Sequence, residues 1–159
     1  MNCRTAGVRE SLLSLVLTLL LCSNALASDA VLEVVDDQGT ILTGFALQPG
    51  KRWCLSWNHS VAGFPVRDCF VFQPPHMLLE SSHQPDFAAG LGHVAGRGVL
   101  RPDGQGGYLI DAINEPVSGN RLILRVGAPA VDHRIEFQDR VFTLSDIVAH
   151  RRVEIRLVQ

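Results

Sequence analysis

His59 and Ser60 stand side by side, and Asp68 follows nine positions after the histidine. An imidazole, a hydroxyl and a carboxylate are the parts of a nucleophile relay, in which the histidine takes the serine proton and the aspartate orients the ring. Histidine and carboxylate side chains can also share a metal ion. Used only as hydrogen-bonding groups, the same residues can hold a small anion or a partner surface. They can equally knit a loop to its sheet, because a buried hydrogen-bonded network has the same composition as a site. Neighbouring side chains on a strand point to opposite faces, and no Gly-x-Ser-x-Gly turn re-aims Ser60. No catalytic residue is therefore assigned. The six histidines lack the close spacing of a zinc motif, so no metal ligand is assigned either. Binding is the leading reading. Hydrolase or metal-dependent chemistry through His59, Ser60 and Asp68 is the alternative, and a purely structural loop network is the third.

Two aromatic-rich runs must position these groups. Residues 53–57 and 66–72 flank a short polar loop, and each run carries one cysteine. If the runs pair as an antiparallel ribbon with Trp57 opposite Val66, then Cys54 falls opposite Cys69, within disulfide reach. A redox-active or metal-binding pair would favour a Cys-x-x-Cys spacing, which this pair lacks. By the period of two, Trp53, Leu55 and Trp57 share one face and meet Val66, Asp68, Phe70 and Phe72. Asp68 is then a carboxylate set into a core-facing surface, which is costly unless it is partnered. His59 or a nearby arginine is the expected partner, and backbone N–H groups of the loop are the alternative.

The N-terminus bears on where such a ribbon matures. Arg4 and Arg9 precede an apolar run over 12–22, and Ala25-Leu26-Ala27 follows it. That order describes a secretory signal peptide over 1–27, leaving one all-β domain over 28–159. The run is roughly 18 Å long as a helix, against ~30 Å of bilayer hydrocarbon, although an uncleaved N-terminal anchor stays open. Leu21 before Cys22 is not the small residue that lipid attachment favours. Cys3 and Cys22 leave with the leader, so Cys54 and Cys69 remain as an even pair in an exported chain, periplasmic or secreted. With 14 basic and 16 acidic residues, and Lys51 the only lysine, no basic block points to nucleic acid or an anionic membrane. No later apolar stretch is long enough to span a membrane.

Along the mature chain, strands are expected over 30–35 and 40–47, divided by a turn at 36–39, then the ribbon, then 76–83 after Pro74-Pro75. Residues 85–98 read as a glycine-rich loop that covers the body or lines a cleft, and its glycines match no phosphate-binding or cofactor motif. Further strands are expected over 108–113, 121–126, 133–137, 140–142 and 153–158. Thr143 and Asp146 have the spacing of a capping box for one short helix over 144–149. Val153, Ile155 and Leu157 should face inward. The fold class is mainly β: an antiparallel sandwich or partly open barrel with one short helix near the C-terminus.

Trp57-Asn58-His59-Ser60-Val61 and Pro65-Val66-Arg67-Asp68 resemble the signature of a small exported bacterial family, the domain of unknown function 1850. Ala89-Gly90-Leu91-Gly92 is similar to its glycine-rich segment, and His133 stands where its later half carries a histidine. Asp68 takes a position where the family more often has Glu, and the two cysteines are not part of the family pattern. The resemblance implies no established activity. It implies genomic company with TRAP-type solute transporters of the TAXI kind. The expected partner is thus a transporter component or a small organic anion, bound without a cofactor by His59, Ser60, Asp68, Gly90, Gly92 and His133 at one end of the domain.

Overall fold

The computed structural model describes residues 29–85 and 96–159. The leader over 1–27 and the candidate residues Gly90 and Gly92 lie outside the described residues. Two antiparallel sheets face one another. The smaller has the order β2 (Ile41–Leu47), β1 (Ala30–Asp36), β12 (Arg152–Val158), β9 (Arg121–Arg125). The larger runs β11 (Arg140–Thr143), β10 (Arg134–Phe137), β3 (Arg52–Asn58), β4 (Pro65–Gln73), β5 (His76–Gln84), β7 (Tyr108–Asp111), β6 (Val99–Pro102), with the two-residue β8 (Glu115–Pro116) added to β5. Neither sheet closes on itself, and α1 (Leu144–Val148) precedes the last strand.

The alternating strands account for the core between the sheets. Leu32, Val34, Val153 and Ile155 from one sheet meet Trp53, Phe72, Met77 and Ile135 from the other, all essentially inaccessible to water. Burying such side chains contributes about 1.5–3 kcal/mol each. Phe45 and Phe137 meet edge to face across the two layers at 5.6 Å between centroids. In β12, Val153, Ile155 and Leu157 all face this core, as their alternation requires.

The ribbon has the expected register. Trp57 pairs with Val66 and Cys54 with Cys69, and the two sulfurs are bonded at 2.07 Å. The capping box behaves differently. Thr143 is the N-cap residue of α1, but its side chain makes no capping bond. The carbonyl of His133 instead accepts the N–H groups of Leu144 and Ser145, at 2.8 and 3.3 Å. An acceptor from the neighbouring strand satisfies these helix-end donors, so the threonine hydroxyl is not required there.

One irregularity decides what faces the core further along. Phe72 pairs with Met77 and Phe70 with Leu79, but Cys69 then pairs with Ser81 and Asp68 with Ser82. Glu80 is the extra residue of a β-bulge, and its carbonyl accepts the N–H of Ile113. The bulge reverses the alternation of β5. Ser82 and Gln84 turn inward with Asp68, and Ser81 and His83 turn out.

Candidate functional site

The structure separates the sequence-derived candidates into two places. His59 begins the loop after β3. Its N–H donates to the carbonyl of Phe64, its carbonyl accepts the N–H of Gly63, and Gly63 takes a left-handed φ of 73° that suits glycine. The His59 Nδ1 accepts backbone N–H groups from Ala62 and Val61, at 3.1 and 3.4 Å, and its ring stacks on Phe64. Ser60 is exposed beside it. Asp68 lies three ladder positions further along the ribbon from the Asn58–Pro65 pair, about 10 Å away. Imidazole, hydroxyl and carboxylate are therefore not brought together as a relay.

His133 sits near the loop end, with its ring stacked on Trp57 at 6.0 Å between centroids and 18° between planes. It is only 8% exposed. Its Nδ1 accepts the N–H of Gly127 at 3.0 Å, and its own N–H donates to the Ser145 hydroxyl at 2.9 Å. Burial lowers its pKa below the ordinary histidine value, with the charge of Asp132 opposing the shift. His133 is thus a neutral ring that ties the turn after β9 to the start of α1. Asn58 adds to this end, donating to the carbonyl of Ala130 at 3.2 Å. Among the described residues, no cluster of three or more His, Cys, Asp or Glu is placed to hold a metal.

Asp68 lines a cavity of about 350 Å³ between the sheets, where β9 approaches β5 and β8. Phe70, Leu79, Val117 and Leu122 supply apolar wall. Glu115 and Arg121 also line the cavity. Its volume is at the small end of the ~300–1,000 Å³ range of small-molecule sites. Asp68 is half-buried, and burial raises its pKa above the usual carboxylate range. A hydrogen bond from Ser82 and the charge of Arg97 act in the opposite direction. Asp68 faces Ser82 on the next strand and feels the charge of Arg97, and His59 is not beside it.

Behind Ser82 lies a chain of buried polar groups. The Tyr108 hydroxyl donates to Gln84 Oε1 at 2.8 Å, and Gln84 Nε2 donates to Ser82 Oγ at 3.2 Å. Ser82 and Gln84 are each about 5% exposed or less. Glu115 of the cavity lining pairs through Oε2 with Arg97 Nε at 2.8 Å. Arg121 is exposed and has no carboxylate partner among the described residues.

Ser82, Arg97, Glu115 and Arg121 were not among the sequence-derived candidates. One signal for the first was available. Ser82 and Gln84 are polar residues at alternate positions, as one strand face requires, but the bulge at Glu80 conceals which face that is. The other three depend on how the two sheets meet.

No curated protein and no solved structure matches the chain. One family's sequence model matches residues 54–144, a span that holds both the loop end and every residue lining the cavity. The match covers more than half of the chain, and the chain belongs to the family described as Domain of unknown function (DUF1850).

Proposed function

We propose that this protein is an exported small-ligand-binding module whose site is the inter-sheet cavity at β4, β5, β8 and β9. The ligand is a small organic acid. Its carboxylate pairs with Arg121 and its apolar part lies on Phe70, Leu79, Val117 and Leu122. The observation that carries this reading is Arg121. It lines the cavity and has no carboxylate partner among the described residues, whereas Arg97 is paired with Glu115 of the cavity lining. A guanidinium matches a carboxylate in two-pronged geometry, and apolar walls bind the rest of a small molecule.

The disulfide and the leader-like N-terminus support an extracytoplasmic setting, periplasmic or secreted. Among the described residues no helix is long and apolar enough to cross a membrane. The family likeness read from the sequence supports a place beside a TRAP-type transporter, as an accessory that holds or presents the solute. His59, Ser60 and His133 serve the architecture around the site in this reading.

Thermal-shift measurements with a panel of short monocarboxylates test it. The wild type and His59→Ala should both be stabilised by at least one acid, and Arg121→Ala should not. No shift in the wild type, or an equal shift in Arg121→Ala, would count against the cavity as the site.

A further inference from the structure

The cavity presents an anion as well as a cation. Asp68 comes from β4 of the larger sheet, and Arg121 opens β9 of the smaller one. The two line the same cavity but do not form an ion pair with each other. A directly bonded pair would close the space between them. The cavity of about 350 Å³ that they share can hold a small molecule that answers both.

The hydrogen bonds around Asp68 say what that molecule must offer. In the chain from Tyr108, each bond has one direction. Tyr108 donates to the Gln84 carbonyl oxygen, so the Gln84 amide nitrogen is free to donate to Ser82 Oγ. Gln84 Nε2 occupies Ser82 Oγ as an acceptor, which leaves Ser82 its single proton to give, and Asp68 is the residue paired with Ser82 across the ladder. The network therefore delivers donors toward Asp68 and treats it as an acceptor. An ionised carboxylate offers about four lone-pair positions. Ser82 fills one. Arg97 contributes charge, but its Nε is engaged by Glu115. A half-buried carboxylate with few donors among the described residues is unfavourable on its own, and a ligand ammonium with three N–H groups would satisfy it.

We infer that the cavity takes a zwitterion of the α-amino-acid type, with its ammonium on Asp68, its carboxylate on Arg121, and an aliphatic side chain on Phe70, Leu79, Val117 and Leu122. This rests on the cavity being the ligand site and adds the second charge. Ser82, Gln84 and Tyr108 are positioning residues, because they reach the ligand only through Asp68. Glu115 of the cavity lining holds Arg97 by its Nε.

Isothermal titration calorimetry with three matched probes tests the inference: L-leucine, its desamino analogue 4-methylpentanoate, and its decarboxylated analogue 3-methylbutylamine. Leucine should bind the wild type at least tenfold more tightly than either analogue. Asp68→Asn should bring leucine down to the affinity of 4-methylpentanoate and leave 4-methylpentanoate itself unweakened. Arg121→Gln should bring leucine down to the affinity of the amine. Ser82→Ala should weaken leucine more than 4-methylpentanoate, a selectivity that loss of packing alone would not give. If 4-methylpentanoate binds as tightly as leucine, the zwitterion is overturned and the acid-binding cavity stands. If none of the three binds, both readings fail.

Discussion

Asp68 lies in the larger sheet and His133 directly before its strand β10, and the two polar groups are treated in opposite ways. Backbone N–H groups fill the Nδ1 acceptors of His133 and of His59, and each ring lies against an aromatic neighbour. Asp68 is paired across the ladder with Ser82 and lines a cavity together with Arg121, an arginine with no carboxylate partner among the described residues. A residue type suited to chemistry is thus a poor guide to a site. What separates a structural polar group from a binding one is whether the fold already supplies its partners. Two tryptophans report separately on the two regions, since Trp57 stacks on His133 and Trp53 stacks on Phe70 of the cavity wall.

The severest challenge to this contrast removes what both regions share. Cys54→Ala with Cys69→Ala should cost about 3 kcal/mol in urea denaturation, for a cross-link with a sequence separation of 15. Both the loop end and the cavity should loosen, seen as changes at both tryptophans in single-tryptophan variants. A loss confined to one region would show that they do not depend on a common ribbon.

Next in size is His133→Ala, which leaves the Gly127 N–H without its acceptor and Trp57 without its stack, for about 2 kcal/mol. Ligand affinity of the folded variant should match the wild type. Weakened binding at intact fold would move His133 into the site. The pH dependence of the wild type sharpens the same point. Folding lowers the proton affinity of His133, so the unfolded chain binds more protons just below the ordinary value of 6.5. Stability should therefore fall as pH drops from about 7 toward the lowered folded value. His133→Asn, whose side-chain oxygen can still accept from Gly127, should flatten that slope.

The smallest expected effect has the opposite sign. Burial raises the pKa of Asp68, so the folded protein holds this proton to higher pH than the unfolded chain does. Stability is lost as pH rises from the ordinary value of 3.8 through the raised one. Asp68→Asn should then raise the neutral-pH Tm, by on the order of 3 °C, with the gain fading toward acid pH. A drop in Tm instead would make Asp68 a structural group like His133 and erase the contrast.

The ribbon was legible in the sequence because two constraints agree on it. The alternation of Trp53, Leu55 and Trp57 and the facing cysteines demand one register, and Asp68 then has to face inward. The two-layer β class and the short helix were legible for similar local reasons. The cavity was not. Glu115 and Arg121 flank a stretch that reads as a loop, and they reach Asp68 only through the packing of one sheet on the other. The bulge at Glu80 hides Ser82 for a different reason, since strict alternation would have placed Ser81 and His83 inside. Nothing in the sequence marks Gly127 as the partner of His133, because a backbone donor carries no residue-type signal.

The cross-link also bears on the order of assembly. It joins strands that are consecutive in the chain, so it can close on an isolated hairpin, and short loops close sooner than long ones. Arg97, Glu115 and Arg121 belong to later segments. If the cross-link closes first, the acidic floor is set covalently before its walls arrive, and each later strand meets a template already in its final alignment.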